Sequence, residues 1–314
     1  MKLAFVLDPL ESLKAYKDSS VAMMRAAAAR GHEVWTIQRA ALTWRDACVA
    51  GRAQRLKVGA DDTAWFAVAE ELVQPLTAYD AVLMRQDPPF DFEYVAATWL
   101  LERAESQGAR IWNKPRSIRD HSEKVAIAEF PQFIPTTLIA RDPADIHAFI
   151  DELGDVILKP LDGMGGSSIF RVLKDDPNRN VIVETLTNFG VRSIMAQRYL
   201  PAITQGDKRI LLIAGEPVPY CLARIPKPGE TRGNLATGGK GVARPLLGRD
   251  REIAEALGPI LWARGLLIVG LDVIGDCLTE INVTSPTCFA EIAQQTRFDA
   301  AAMLVDALER ECRA

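Results

Sequence analysis

Residues 156–168 constrain this chain most: Val-Ile-Leu-Lys-Pro-Leu-Asp-Gly-Met-Gly-Gly-Ser-Ser. Val156, Ile157 and Leu158 form the apolar run of a short buried strand. Pro160 has no N–H for a ladder, so the strand is expected to stop beside Lys159. Gly163, Gly165 and Gly166 follow, then Ser167 and Ser168. A loop with so few side chains exposes its backbone N–H groups and can wrap an anion. Lys159 places a positive charge beside it, the combination a triphosphate needs. The plain alternative is a tight turn with a solvated lysine, and a glycine loop alone does not separate the two.

A chain of 314 residues has room for two or three compact units. Its 48% hydrophobic and 25% charged residues describe a globular protein. A formal net charge of −4 excludes a general nucleic-acid binder. No apolar run approaches a membrane span, so no membrane partner is expected. The apolar start before Asp8 reads as a first strand rather than a signal peptide. Cysteines 48, 221, 277, 288 and 312 are odd in number and lack Cys-x-x-Cys spacing. Neither a disulfide framework nor a zinc site is indicated, and a reducing cytoplasm is the expected location.

Residues 2–7 read as a strand. Asp18 and Ser19 offer an N-cap for a helix to Arg30, ended by Gly31, with a strand at 33–37. Strand–helix–strand order predicts a parallel sheet. No glycine lies between Asp8 and Ser19, so the dinucleotide fingerprint is absent. Residues 39–74 suggest a hairpin near Gly51 and Gly59, then a helix over 64–73. The strand 80–84 runs into Arg85-Gln86-Asp87-Pro88-Pro89-Phe90, an extended loop at a strand's carboxyl end. A helix over 94–107 and a strand over 110–112 follow. Asp120-His121-Ser122-Glu123 has capping-box spacing, which predicts a helix with Lys124 in its first turns. A helix at 143–153 lies among short strands. Residues 181–186 and 194–200 read as strands joined by a turn at 188–190. Strands at 208–213, 217–223 and 266–274 and helices at 251–264 and 298–310 complete the chain. The expected units are 1–121, 122–190 and 191–314.

Residues 271–282 read as a hairpin about Gly275-Asp276. Glu280 and Asn282 are two apart on one strand and share a face. A carboxylate and an amide oxygen are hard ligands suited to magnesium. Asp272 joins them only if the register allows. A two-residue loop, 274 opposite 277, turns it away, whereas a three-residue loop, 274 opposite 278, sets it across from Glu280. The longer loop with a bulge is predicted. Taken alone, such a hairpin is more often a solvated sheet face.

Residues 224–244 carry five glycines, five basic residues and one acid. Little apolar surface anchors them, so a mobile lid over phosphates is expected. Position 241 is not Ser or Thr, so this is no Walker loop, and protein-kinase signatures are missing. The strand end at Gln197, Tyr199 and Leu200 leaves backbone groups that could pair with an adenine edge. Arg209 could reach a phosphate from the strand after Asp207. Core packing and a solvated ion pair are the plain alternatives for these two.

In this order the motifs resemble the ATP-grasp superfamily. Met84-Arg85-x-Asp87-Pro88-Pro89-Phe90, the 159–166 loop, 220–226, 229–236 and 279–287 are similar, more narrowly, to the bacterial glutathione synthetase family, nearly end to end. The resemblance implies an α/β, Rossmann-like N-terminal domain followed by a two-subdomain α+β ATP-grasp fold. It implies ligation of γ-glutamylcysteine and glycine to glutathione, with ADP and phosphate. Lys124, Lys159 and Arg209 would hold phosphates, with Asp162, Gly165 and Gly166 in the loop around them. Gln197, Tyr199 and Leu200 would hold adenine, and Asp207 the nucleotide beside the hinge. Asp272, Glu280 and Asn282 would bind two Mg²⁺, with Mn²⁺ as an alternative. Asp18, Ser19, Arg85, Arg224, Arg232, Ser285 and Thr287 would bind peptide and glycine. Lys159, Arg209 and Arg232 would act in catalysis. A homo-oligomer, dimer or tetramer, is implied as well. Gln86 and Ser122 depart from the lysine and asparagine expected there, and Lys227-Pro228 precedes Gly229.

The inventory suits acyl activation by phosphoryl transfer, which needs positioning and charge neutralisation rather than a protein nucleophile. Cys288 is a poor nucleophile candidate, with no histidine near it in sequence. Two alternatives stand beside this expectation: another amino-acid ligase of the D-alanine type, and a nucleotide-binding regulator without turnover.

Overall fold

The structure is a computed structural model that describes residues 1–235 and 238–313. The first unit begins with β1 (Lys2–Leu7) and α1 (Ser19–Ala29). Asp18 caps α1, its carboxylate accepting from the Ser20 and Val21 N–H groups. β2 (Glu33–Arg45), β3 (Cys48–Val58) and β4 (Phe66–Pro75) form an antiparallel meander. β5 (Ala81–Met84), α2 (Phe92–Ser106), β6 (Ile111–Trp112) and α3 (Pro115–Asp120) complete the unit. Its six strands run in the order β4-β3-β2-β1-β5-β6, with β1, β2, β5 and β6 parallel.

The helix expected over 64–73 is therefore a strand. Its Ala, Glu and Leu content favours helix locally, but the ladder with β3 and the cross-strand pair Glu70–Arg55 at 3.0 Å override that preference. The hairpin turn falls at Asp46 and Ala47, both in the left-handed region, not near Gly51. Gly51 sits inside β3 because a side chain there would strike Ile37, 2.9 Å from the nearest carbon.

The middle unit holds β7 (Thr137–Ala140), α4 (Pro143–Leu153), β8 (Asp155–Pro160), β9 (Phe170–Leu173), α5 (Arg179–Thr187) and β10 (Ile194–Arg198). Its sheet order is β7-β10-β8-β9, antiparallel throughout. The expected strand over 181–186 is α5, which buries Val183 and Leu186 and stops at left-handed Asn188. Val181, Ile182 and Val183 suggested a strand, yet the three-residue spacing of the buried pair is helical. β10, expected in the last unit, lies in the middle sheet. β8 also reaches Pro160, which pairs with Ile194 instead of ending the ladder at Lys159.

The last unit contains β11 (Asp207–Ile213), β12 (Glu216–Ile225), β13 (Lys240–Pro245), α6 (Gly248–Ala263), β14 (Ile268–Ile274), β15 (Cys277–Asn282), α7 (Phe289–Thr296) and α8 (Ala300–Arg313). The sheet order is β13-β12-β11-β14-β15. β13 and α7 had no clear sequence signal. Residues Ala236 and Thr237 of the expected basic lid lie outside the described residues.

One apolar core joins α1 and one face of the first sheet to α7, α8 and the last sheet. Asn113 ties the same two units by hydrogen bonds. Its amide donates to the carbonyls of Ile268 (2.7 Å) and Val283 (2.8 Å) and accepts from the Ile268 N–H at 2.9 Å. Replacing it leaves those buried groups unpaired. Asn113→Ala should destabilise the protein by about 2–4 kcal/mol. Thermal unfolding measures this, and an unchanged melting temperature would remove Asn113 as the tie.

Candidate functional site

A cavity of about 320 Å³ opens between the middle and last sheets, with loops of the first unit on its rim. Ile157, Leu200, Ile203 and Ile274 provide an apolar wall, and Lys124, Lys159, Glu280 and Asn282 a charged one. The charged wall depends on one hairpin register. Ile274 pairs with Cys277, so the turn has two residues, not the three predicted. Val273 pairs with Leu278 and Asp272 with Glu280, so a bulge at Thr279 absorbs the extra residue. Asp272 thus stands across from Glu280 as expected, by a different device. The Thr279 hydroxyl donates to the Asp272 carbonyl (3.1 Å), and its own carbonyl accepts from Lys159 Nζ at 3.3 Å.

Lys124 Nζ donates to the Gly163 carbonyl at 2.6 Å and lies 3.0 Å from Glu280 Oε1. It therefore joins the glycine loop to the acidic strand. Lys124 does not sit in a capped helix. α3 ends at Asp120, and a short 3₁₀ turn runs from Val125 to Glu129. Glu123 is not a cap either. Its Oε1 accepts from the N–H groups of Val283 (2.9 Å) and Thr284 (3.1 Å) and from the Thr284 hydroxyl (2.9 Å). Its one sequence signal was the capping-box spacing, which assigned it a local role. Burial, reinforced by Glu280, pushes the Glu123 carboxyl up, and burial pushes Lys159 down.

Behind this wall lies a buried charge network. Arg209 grips Asp272 through Nε–Oδ1 (2.5 Å) and Nη2–Oδ2 (3.0 Å). Arg224 reaches Asp272 Oδ2 at 2.8 Å and also pairs with Asp207. Burial acts to raise the Asp272 carboxyl, but the two guanidiniums outweigh it and hold it far below the usual range. Burial raises Asp207 to about 6, and its Oδ1 has no partner among the described residues. Among the described residues no three acid, cysteine or histidine side chains converge to hold a metal. Glu280 and Asn282 present oxygens to the cavity, with the Asn282 amide nitrogen turned to the Gly270 carbonyl at 3.2 Å. Both Asp272 oxygens are engaged by arginine.

The remaining expected residues divide. Gly165, Gly166, Gln197, Tyr199, Asp207 and Leu200 line the cavity, as do Arg209, Arg224, Arg232, Ser285 and Thr287. Asp162 does not; it pairs with Arg192 at 2.6 Å on the surface. Asp18 is committed to capping α1, and Ser19 accepts from the Phe289 N–H at 3.3 Å. Arg85 is buried behind the wall, bonded to Ser20 Oγ (3.1 Å) and the Pro286 carbonyl (3.0 Å), while its Nη1 has no partner among the described residues. Arg232 bridges Glu230 (2.6 Å) and the Gly166 carbonyl (3.3 Å), joining the basic loop to the glycine loop. At Gly166, φ is +81° and a Cβ would lie 2.7 Å from Asn234 Oδ1, so only glycine fits. Cys288 is buried with its thiol pushed up, which makes it a poor nucleophile.

Residues 1–119 match the prokaryotic glutathione synthetase N-terminal domain, and residues 123–297 the prokaryotic glutathione synthetase ATP-grasp domain. The chain belongs to the prokaryotic glutathione synthetase family. Glutathione synthetase of Nitrosomonas europaea is 60% identical, over 99% of this chain and 98% of that one. That of Ralstonia nicotianae is 58% identical, over 99% and 96%. Among solved structures, D-cycloserine synthetase DcsG superposes with a TM-score of 0.68 at 15% identity, covering 99% of both chains. The ATP-grasp ligase PsnB, complexed with minimal precursor, Mg and ADP, gives 0.63 at 17%, covering 99% of this chain and 98% of that chain. At those identities the likeness concerns the fold, which is the expected ATP-grasp arrangement.

In this glutathione synthetase family member, Asp272 and Glu280 differ in what their loss exposes. Asp272→Ala strips Arg209 of its carboxylate in a dry site, a loss of roughly 3–5 kcal/mol. Glu280→Ala leaves Lys124 its Gly163 partner, so the fold should survive while activity is lost. Thermal unfolding beside an activity assay checks both, and equal melting of the two variants would contradict the buried-network account. The Asp272 carboxyl is lower in the folded than in the unfolded chain. Its stabilisation is therefore present above about pH 4 and lost as the pH falls from there.

Proposed function

We propose that this chain is an ATP-dependent ligase that joins γ-glutamylcysteine and glycine, forming glutathione, ADP and phosphate. The observation that carries this is the meeting of Lys124 and Lys159 with Glu280 across the glycine loop in one cavity. The family names of the matched domains and relatives support it. All five cysteines are free, which suits a reducing cytoplasm.

The base would lie in the apolar wall. The Arg198 and Tyr199 N–H groups are taken by the Thr136 and Asp155 carbonyls. Among the described residues the Tyr199 carbonyl and the Leu200 N–H bear no hydrogen bond; they point to opposite sides of one trans peptide, so one of the two would be available to an adenine edge. The unpartnered Asp207 Oδ1 suits a ribose hydroxyl. Lys124, Lys159, Arg209 and the glycine loop would hold the phosphates. Glu280 and Asn282, with Asp272 once an arginine lets go, fit two Mg²⁺ ions. When bound, Mg²⁺ would neutralise charge on the phosphate oxygens as the γ-phosphoryl group moves.

A carboxylate is a poor electrophile because oxide leaves badly. Phosphorylation of the cysteinyl carboxylate gives an acyl phosphate with a good leaving group, which the glycine amine then displaces. Lysines and arginines positioned on the phosphoryl oxygens lower that barrier by charge stabilisation. The acyl phosphate must be kept from water, and Arg232, which bridges the two loops over the cavity, would help to shield it. Arg85, a buried cation with one unsatisfied nitrogen behind Pro286, suits a substrate carboxylate.

ADP release should require γ-glutamylcysteine and glycine together, with neither D-alanine nor a single substrate replacing them. Release that ignores both would overturn the ligase assignment, and release with D-alanine alone would favour the D-alanine type.

A further inference from the structure

We propose that Arg171 and Asp155 are positioning residues for the nucleotide base, acting through the ring and backbone of Tyr199. The proposal rests on the nucleotide reading of the cavity above. Asp155 opens β8, and Arg171 lies on the neighbouring strand β9. The Asp155 carboxylate holds the guanidinium as a fork, with Nε–Oδ1 at 3.0 Å and Nη2–Oδ2 at 2.7 Å. That fork fixes the plane of the guanidinium, whose central carbon lies 3.7 Å from the centroid of the Tyr199 ring. The backbone of Asp155 acts on the same residue, since its carbonyl accepts the Tyr199 N–H at 3.1 Å. Two contacts from one aspartate therefore converge on Tyr199, one direct and one through Arg171.

Tyr199 lines the cavity, whereas Arg171 and Asp155 do not. The peptide after Tyr199 has its carbonyl and its N–H free among the described residues, on opposite sides, so which of them meets a base depends on how that peptide is turned. Both contacts act on the residue that sets that orientation. The ion pair itself is 39% and 31% exposed, so it adds little to the stability of the fold. What it adds is a planar cation held flat on an aromatic face, which a lysine cannot reproduce.

The test is a steady-state comparison with a binding readout. Arg171→Ala should raise KM for ATP about two- to fivefold, the range of an exposed cation–π contact. Its kcat and its KM for γ-glutamylcysteine and glycine should stay at the wild-type level. ADP affinity, by titration calorimetry, should fall by the same factor. Arg171→Lys should share the loss. Tyr199→Ala should match or exceed Arg171→Ala, and the double variant should be no worse than Tyr199→Ala alone. An unchanged ADP affinity in Arg171→Ala overturns the proposal. So does a parallel rise in all three KM values, or multiplication of the two single effects in the double variant. If wild-type protein binds ADP but does not ligate, the ligase reading fails while the clamp is still decided by ADP affinity. If it binds no adenine nucleotide, both fall.

Discussion

The cleft depends on a carboxylate gripped from two sides. Asp272 is shared by Arg209 and Arg224, and Arg224 is shared in turn with Asp207. Burying four charges is favourable only if each is met by an opposite one at close range. The sheet meets that condition by register. Arg209 stands opposite Asp272 on β11 and β14, Asp207 opposite Arg224 on β11 and β12, and Glu280 opposite Asp272 on β15. Four strands therefore build the back wall with no loop involved. Groups fixed this way are in place before a charged ligand arrives, so that only the arginine grip on Asp272 has to loosen, and pre-placed charge is what electrostatic stabilisation of phosphoryl transfer demands.

Much of this was legible from residue types and spacing. The lysine beside the glycines, the acid–amide strand and the strand end at Gln197–Leu200 all meet in one cavity. Where local pattern misled, tertiary pairing was responsible. Residues 64–73 carry helix formers but lie where a β3 edge needs a partner. Residues 181–186 contain a β-branched run but bury a helical stripe. The hairpin is more instructive, because Asp272 faces Glu280 although the turn is shorter than expected. A period-two pattern reports that an extra residue must be absorbed, not where. Glu123 escaped notice because its partners, Val283 and Thr284, lie about 160 residues away, and a capping-box spacing explained it locally.

Residues drawn from family likeness fared unevenly, for a physical reason. Those on strands or held by strands face the cavity. Asp162 and Asp18 instead satisfy local needs, a surface ion pair and a helix cap. A short acidic side chain near a backbone N–H or an exposed arginine is readily captured there. Arg85 is the opposite case. It is buried without a carboxylate partner, and one of its nitrogens is unsatisfied. Such a cation is expensive unless an anion visits it, so its environment points to a ligand more strongly than its sequence position does.

The first unit and the glycine loop are both linked to the acidic wall. Asn113 and Glu123 pin the backbone of 283–284, just beyond Asn282, to the N-terminal half of the chain. Lys124, the residue after Glu123, spans from Glu280 to the glycine loop at Gly163. A displacement of the glycine loop is therefore felt by Lys124 and by Glu280, while Glu123 keeps the strand end from following. Arg232 adds a second link, from the basic loop to Gly166. The acidic strand is thus anchored to the first unit, and the two glycine-rich segments are tied to it and to each other through Lys124 and Arg232. In a ligase of this family such ties hold the charged wall and the loops beside it in one register, which pre-places the charges that phosphoryl transfer needs.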